Sequence, residues 1–192
     1  MSEGRRYHVG DLPGRLLREA RDMLDEGGLK QLNLRALAAR VGITAASLYH
    51  HYESKTALLG QLAAAGFKEL RRDLDRATEA ERAGGRLRAW ATTYFAFAQR
   101  EPALFGLMFD PEIAGLSPVA AARDAMLAGL GALVAEVVAS LERAGAPETQ
   151  IAQAVWAAAH GAAALSAAQS GRPELIEDVI IRLDAIFSPA RP

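Results

Sequence analysis

Residues 34–59 read LRALAARVGITAASLYHHYESKTALL. Leu34, Leu37, Ala38 and Val41 recur at steps of three and four, the spacing of one face of a short helix. Asn33 ahead of them is a good N-cap, and Gly42 supplies a turn. Thr44 can cap a second short helix containing Ala45 to Tyr52, and Ser54 a longer one after it. Two helices of about two turns joined tightly are the elements of a helix-turn-helix. Leu37, Val41, Ile43 and Leu48 supply its small core, with Ala38 where the helices cross. The second helix then projects Ala45, Ala46, Ser47, Tyr49 and His50 outward. Small leading residues suit close approach to base edges and thymine methyls in a DNA major groove. Hydroxyls, imidazoles and a lysine suit phosphate oxygens. Apolar spacing alone would fit any helical hairpin.

Working outward, Leu12, Leu16, Ala20, Met23, Leu24 and Gly27 mark a helix from about residue 11 to 26, ended by Gly27-Gly28. Leu58, Leu59, Leu62, Ala63, Gly66, Phe67, Leu70 and Leu74 mark a long fourth helix, and Glu79 to Gly85 reads as a connection. A helix follows from about Leu87 to Gln99, which Glu101-Pro102 breaks because the residue before a proline is pushed out of the helical region. Pro102 to Met108 reads as a short helix and Asp110 to Gly115 as a loop. Ser117-Pro118 opens a helix to about Arg143, stopped by Gly145. Pro147 opens the next, ended by Gly171, and Pro173 opens the last. No window alternates like a strand. The expectation is an all-α chain of about nine helices, with an N-terminal helix-turn-helix domain over residues 1–58 and a helical bundle over 59–192.

The chain has 192 residues, half of them hydrophobic, and no cysteine. That composition suits a folded soluble protein and removes disulfides, thiolate nucleophiles and cysteine-based zinc sites. No apolar run is long enough to span a bilayer, and MSEGRRYHVG at the start has no apolar stretch behind its basic residues. A cytoplasmic location is expected. Residues 1–88 hold sixteen Lys/Arg against twelve Asp/Glu, whereas 89–192 hold six against eleven. A net charge near −1 thus hides a basic first part and an acidic second. The division suggests one end that faces a polyanion.

His50 and His51 raise the question of a metal. Adjacent helical residues point about 100° apart, and no carboxylate or cysteine at ligand spacing completes a site. No metal and no cofactor are expected. Nor is an enzyme, because neither a nucleophile with a base nor a converging carboxylate pair stands out.

The run Leu48, Tyr49, His50, His51, Tyr52, Glu53, Ser54, Lys55, Leu58, Leu59 strongly resembles the DNA-binding signature of the tetracycline-repressor (TetR) family of bacterial regulators. With the helices before it, the resemblance covers residues 8–60. It implies that Tyr49, His51 and Lys55 grip the DNA backbone, and that Ala45, Ala46, Ser47 and His50 read or approach bases. Thr44 would cap the recognition helix and offer its hydroxyl to a phosphate, and Arg35 resembles another backbone contact. Tyr52 takes the family's aromatic core position. The basic arm Arg5-Arg6-Tyr7-His8 could lie along the duplex.

Large apolar residues cluster in the second part: Trp90, Tyr94, Phe95 and Phe97; then Leu104, Phe105, Met108 and Phe109; then Trp156 and His160, four apart on one helix face. Trp90, Tyr94, Phe97, Phe105, Met108, Phe109, Trp156 and His160 are the candidate lining of a ligand pocket. Trp156-x-x-x-His160-Gly161 also resembles a Trp…His-Gly pattern in the ligand domain of one TetR subfamily. Ile151, Val155, Ala158, Ala162, Leu165 and Gln169 form a second face on the penultimate helix. Leu175, Ile176, Val179, Ile180, Leu183 and Ile186 do so on the last. Together they suit a four-helix homodimer interface, through which the family also dimerises. The reading is a DNA-binding regulator, a repressor of a palindromic operator released by a small apolar or amphipathic effector. The alternative is a helical small-molecule sensor without operator binding.

Overall fold

The computed structural model describes residues 11–81, 85–140, 147–168 and 177–182. The first four helices each open on a polar side chain that accepts a hydrogen bond from the backbone N–H three residues on. Asp11 caps α1 (Leu12–Gln31) through Gly14 N at 3.1 Å, and Asn33 caps α2 (Leu34–Val41) through Ala36 N at 2.8 Å. Thr44 caps α3 (Ala45–His51) through Ser47 N at 3.1 Å, and Ser54 caps α4 (Lys55–Glu79) through Ala57 N at 3.0 Å. These bonds satisfy N–H groups that the first helical turn leaves open. Then follow α5 (Arg86–Arg100), α6 (Pro102–Met108), α7 (Ser117–Ser140), α8 (Glu148–Ala168) and a helical segment over 177–182. The fold is all-α, with no strand among the described residues.

Three boundaries differ from the sequence expectation. Gly27-Gly28 bends α1 rather than ending it: Gly28 adopts φ 67°, and one more turn follows to Gln31. That turn is held because Leu32, just beyond it, is fully buried and Leu29 packs on the core. Helix α3 stops at His51, with Tyr52 as its C-cap. Helix α7 already includes Ser117, because the Leu116 carbonyl accepts from Val119 N and Ala120 N at 2.9 Å each. The expected stops at Gly145 and Gly171, the start at Pro173, and the basic arm Arg5-Arg6-Tyr7-His8 lie outside the described residues.

Leu16, Ala20 and Leu24 of α1, Leu37 and Ala38 of α2 and Leu48 of α3 close the core of the head. Gly42 adopts φ 79°, a conformation that side chains with a Cβ avoid, and its N–H closes α2 on Ala38 and Ala39. The chain thereby turns within three residues from α2 to α3.

Helix α4 runs unbroken across residues 58 and 59, packing against α1 at the head and against α5, α6 and α7 in the body. At Gly66 the neighbouring α6 comes so close that a Cβ would lie 2.8 Å from both Leu104 Cδ2 and Met108 Sδ. Helix α8 lies over α5 and α7.

Head and body are also tied by charge. Arg21 of α1 reaches Asp25 at 3.2 Å, Glu69 of α4 at 3.8 Å and Glu101, the N-cap of α6. The Arg21 and Glu101 side chains are each only 19% exposed. Arg21→Met should therefore remove the head's cation from the partly buried Glu101, which keeps only Arg100 at 3.1 Å, and cost about 1–2 kcal/mol in urea unfolding. The exposed pair Arg18–Asp11 should give under about 1 kcal/mol in the same assay.

Candidate nucleic-acid interface and body cavity

The head presents α3 side-on. Leu48 is fully buried and Tyr52 nearly so, whereas Ala46, Tyr49, His50 and His51 are exposed, Tyr49 at 48%. Ala45 and Ser47 are half-buried at the first turn, beside the exposed cap Thr44. Thr44 Oγ1 accepts the Ser47 N–H, so its own proton remains available to an acceptor such as a phosphate oxygen. The rings of His50 and His51 stand edge to face with centroids 5.7 Å apart, and no group of three potential metal ligands gathers among the described residues.

Arg35, Tyr49 and Lys55 come from three different helices and share one groove with Lys30, Ser54 and Glu53. Lys55 Nζ donates to the Leu29 carbonyl at 2.7 Å, spanning the start of α4 and the end of α1. Two of its three protons stay free, next to the positive end of the α4 dipole. Lys30 is the residue that sequence reasoning missed. Ending α1 at Gly27-Gly28 left it in an unassigned loop, whereas the extra turn carries it to the groove wall beside Arg35. The groove thus offers three cations against one carboxylate.

In the body, the pocket candidates divide. Trp90, Tyr94, Phe97 and Met108 are buried to 2% exposure or less and line neither of the two apolar cavities that flank α8. Trp90 stacks on Tyr94 at 5.2 Å and faces a smaller pocket between α4, α5 and α7, and Met108 packs at Gly66 of α4. Phe105, Phe109 and His160 line a cavity of about 330 Å³ between α5, α6 and α8, together with Phe95 and Pro102. Trp156 lines a separate cleft between α7 and α8. Phe109, His160 and Trp156 form a continuous aromatic row, with centroids 4.2 Å and 5.6 Å apart.

Tyr94 Oη lies 3.0 Å from His160 Nδ1. Burial pushes the Tyr94 phenol above its ordinary range, a rise partly offset by the nearby Trp156 N–H. That indole nitrogen is buried and makes no hydrogen bond among the described residues. Burial also lowers the pKa of His160 below 6.5, favouring the neutral ring. A depressed histidine contributes stability above its unfolded pKa and loses it as pH falls through the lower folded value. Melting temperature should accordingly fall as the pH drops below about 6.5, and His160→Gln should flatten that part of the profile.

Residues 16–62 match a family model described as bacterial regulatory proteins, tetR family, and residues 87–183 one described as tetracyclin repressor-like, C-terminal domain. Over 57 residues the chain is 42% identical to the tetracycline repressor protein class A from transposon 1721 of Escherichia coli. That match spans 30% of this chain and 26% of the relative, so the chain matches about a quarter of that protein's length. A protein of unknown function from Rhodococcus sp. RHA1 superposes with a TM-score of 0.79 at 30% identity, covering 96% of this chain and 97% of that one. The TetR-family transcriptional regulator PfmR from Thermus thermophilus shares the fold, with a TM-score of 0.66 at 22% identity over 93% and 100% of the two chains. With both halves matched and the head and body built as described, the chain belongs to the TetR family of bacterial regulatory proteins, a family of regulators rather than enzymes.

Proposed function

We propose that the chain is a homodimeric DNA-binding transcriptional regulator: a repressor of a palindromic operator, released when a small apolar or amphipathic ligand enters the body. Residues 1–58 read DNA, and residues 59–192 bind the effector and the second copy. Acting on double-stranded DNA, it works in the cytoplasm. No helix among the described residues is long and apolar enough to cross a membrane.

The observation that carries this reading is the outward row of α3. Small Ala45, Ala46 and Ser47 lead, His50 stands beside them, and Tyr49, His51, Thr44, Arg35 and Lys55 flank them with donors. A helix with a small leading face enters a major groove, and flanking donors hold it by phosphates. Support for the dimer comes from α8 and the last helical segment. There Leu165 is 48% and Ile181 54% exposed, with exposed Ala154, Ala157 and Ala158 allowing close approach. Of the expected α8 face, Val155 and Ala162 are instead used inside the chain, because they pack on its own bundle. Gln169, Leu175, Ile176, Leu183 and Ile186 lie outside the described residues.

Coupling follows from α6. It supplies Phe105 to the cavity wall and leads directly into Phe109, packs against α1 and α4, and meets Arg21 of the head through Glu101. A ligand that displaces α6 acts directly on the helix that supports the reading head. Coupling of about 1–3 kcal/mol changes operator affinity roughly 5- to 150-fold.

The double variant Tyr49→Ala/Lys55→Ala tests the assignment by fluorescence anisotropy. It should weaken binding to every duplex by at least about tenfold, since hydrogen bonds to charged groups are lost in both protomers. The log–log salt dependence should become shallower by about 0.9 per phosphate contact removed. Unchanged affinity and slope would remove the phosphate-gripping role.

A further inference from the structure

The body cavity carries information about what it holds. Phe95, Pro102, Phe105 and Phe109 give it apolar walls, and among the described residues its only polar side chains are Gln99, His160 and Ser166. No Lys, Arg, Asp or Glu among those residues lines it. A ligand bearing a full charge would leave water there without a counter-charge, which is costly. At about 330 Å³ the cavity sits at the small end of ligand-binding pockets.

The Tyr94–His160 pair fixes which hydrogen-bonding role the cavity offers. Tyr94 is fully buried, and its hydroxyl has one partner among the described residues, His160 Nδ1 at 3.0 Å. The other polar group beside it is the Trp156 N–H, which can only donate. The phenol proton therefore goes to Nδ1, which becomes the acceptor. A neutral imidazole accepting at Nδ1 carries its proton on Nε2. Tyr94 lies behind the wall and does not line the cavity, whereas His160 does. Nε2, on the opposite edge of the ring, makes no hydrogen bond among the described residues and is not among the buried unpartnered atoms. The wall thus carries the His160 N–H donor, beside Gln99 and Ser166, in a mostly apolar space.

We propose that this cavity takes a neutral, mostly apolar ligand carrying a carbonyl oxygen, such as an aryl or alkyl ketone, ester or lactone, which accepts a hydrogen bond from Nε2–H of His160. Tyr94 is a positioning residue: it sets the tautomer and touches no ligand. The proposal rests on the reading of the body as an effector domain, and it names the class of effector.

Two measurements on the full chain without DNA test it. A long-range ¹H–¹⁵N spectrum at pH 8 reads the His160 tautomer, assigned by its absence in His160→Gln. Protonation at Nε2 is expected, and protonation at Nδ1 overturns the proposal. Calorimetric titration then compares acetophenone with ethylbenzene, which matches its shape but lacks the carbonyl, and with 1-phenylethylamine, which is cationic. Acetophenone should bind about three- to tenfold more tightly than ethylbenzene, and the amine least. His160→Leu should abolish the preference, and His160→Gln, which keeps an N–H donor, should recover part of it. Equal binding of acetophenone and ethylbenzene, no binding of acetophenone, or a preference that survives in His160→Leu overturns the proposal. Because DNA is absent throughout, these outcomes are independent of operator binding, so failure here and failure of the regulator reading are distinguishable.

Discussion

Phe67→Ala is expected to destabilise the protein by about 3–5 kcal/mol, the cost of emptying a large aromatic site in a packed core. Phe67 is fully buried at the middle of α4 and meets Phe109 edge to face, with centroids 5.2 Å apart. Phe109 in turn stands over His160 in the aromatic row of the cavity. The hole left by alanine opens beneath α6, where Gly66 already lets Leu104 and Met108 approach as closely as a backbone allows. Those side chains are held by α6 and cannot collapse into the space without moving the helix. For a chain of this size, about 2–4 °C of melting temperature is lost per kcal/mol. A fall of roughly 6–20 °C is therefore expected by circular dichroism. A loss below about 1 kcal/mol would mean that α4 and α6 are not packed as described.

Ala46→Glu should leave stability nearly unchanged and abolish specific DNA binding. Ala46 is exposed on the first turn of α3, so a longer side chain has room to extend into solvent there. On DNA, the added carboxylate would enter the groove between two phosphate rows, once per protomer. Like-charge placement of this kind costs several kcal/mol, so affinity should fall more than about a hundredfold. Circular dichroism and anisotropy on one preparation separate the two effects.

How much of this was readable from residues alone differs between head and body. In the head, the apolar steps Leu34-Leu37-Val41 and the caps Asn33, Thr44 and Ser54 are local signals, and each fell where helix chemistry put it. Gly28 was misread because a glycine pair signals a stop as readily as a bend. What decided between them was Leu32, buried by contacts distant in sequence. Lys30 went unassigned for the same reason. In the body, aromatic residues at helical spacing showed where bulk lies but not which side faces empty space. Trp90, Tyr94 and Phe97 were as plausible as Phe105 and Phe109 until α8 was placed over α5. The Arg21–Glu101 tie joins residues eighty apart in the chain and left no local trace.

In the proposed function, α3 reads a palindrome in double-stranded DNA. Selection of bound duplexes from a random pool, run in parallel with the wild-type chain and Ala46→Glu, tests it most directly. The wild type should enrich an inverted repeat with half-sites a whole number of helical turns apart, and the variant should enrich none. No enriched sequence with the wild type, or the same enrichment with both proteins, would contradict it.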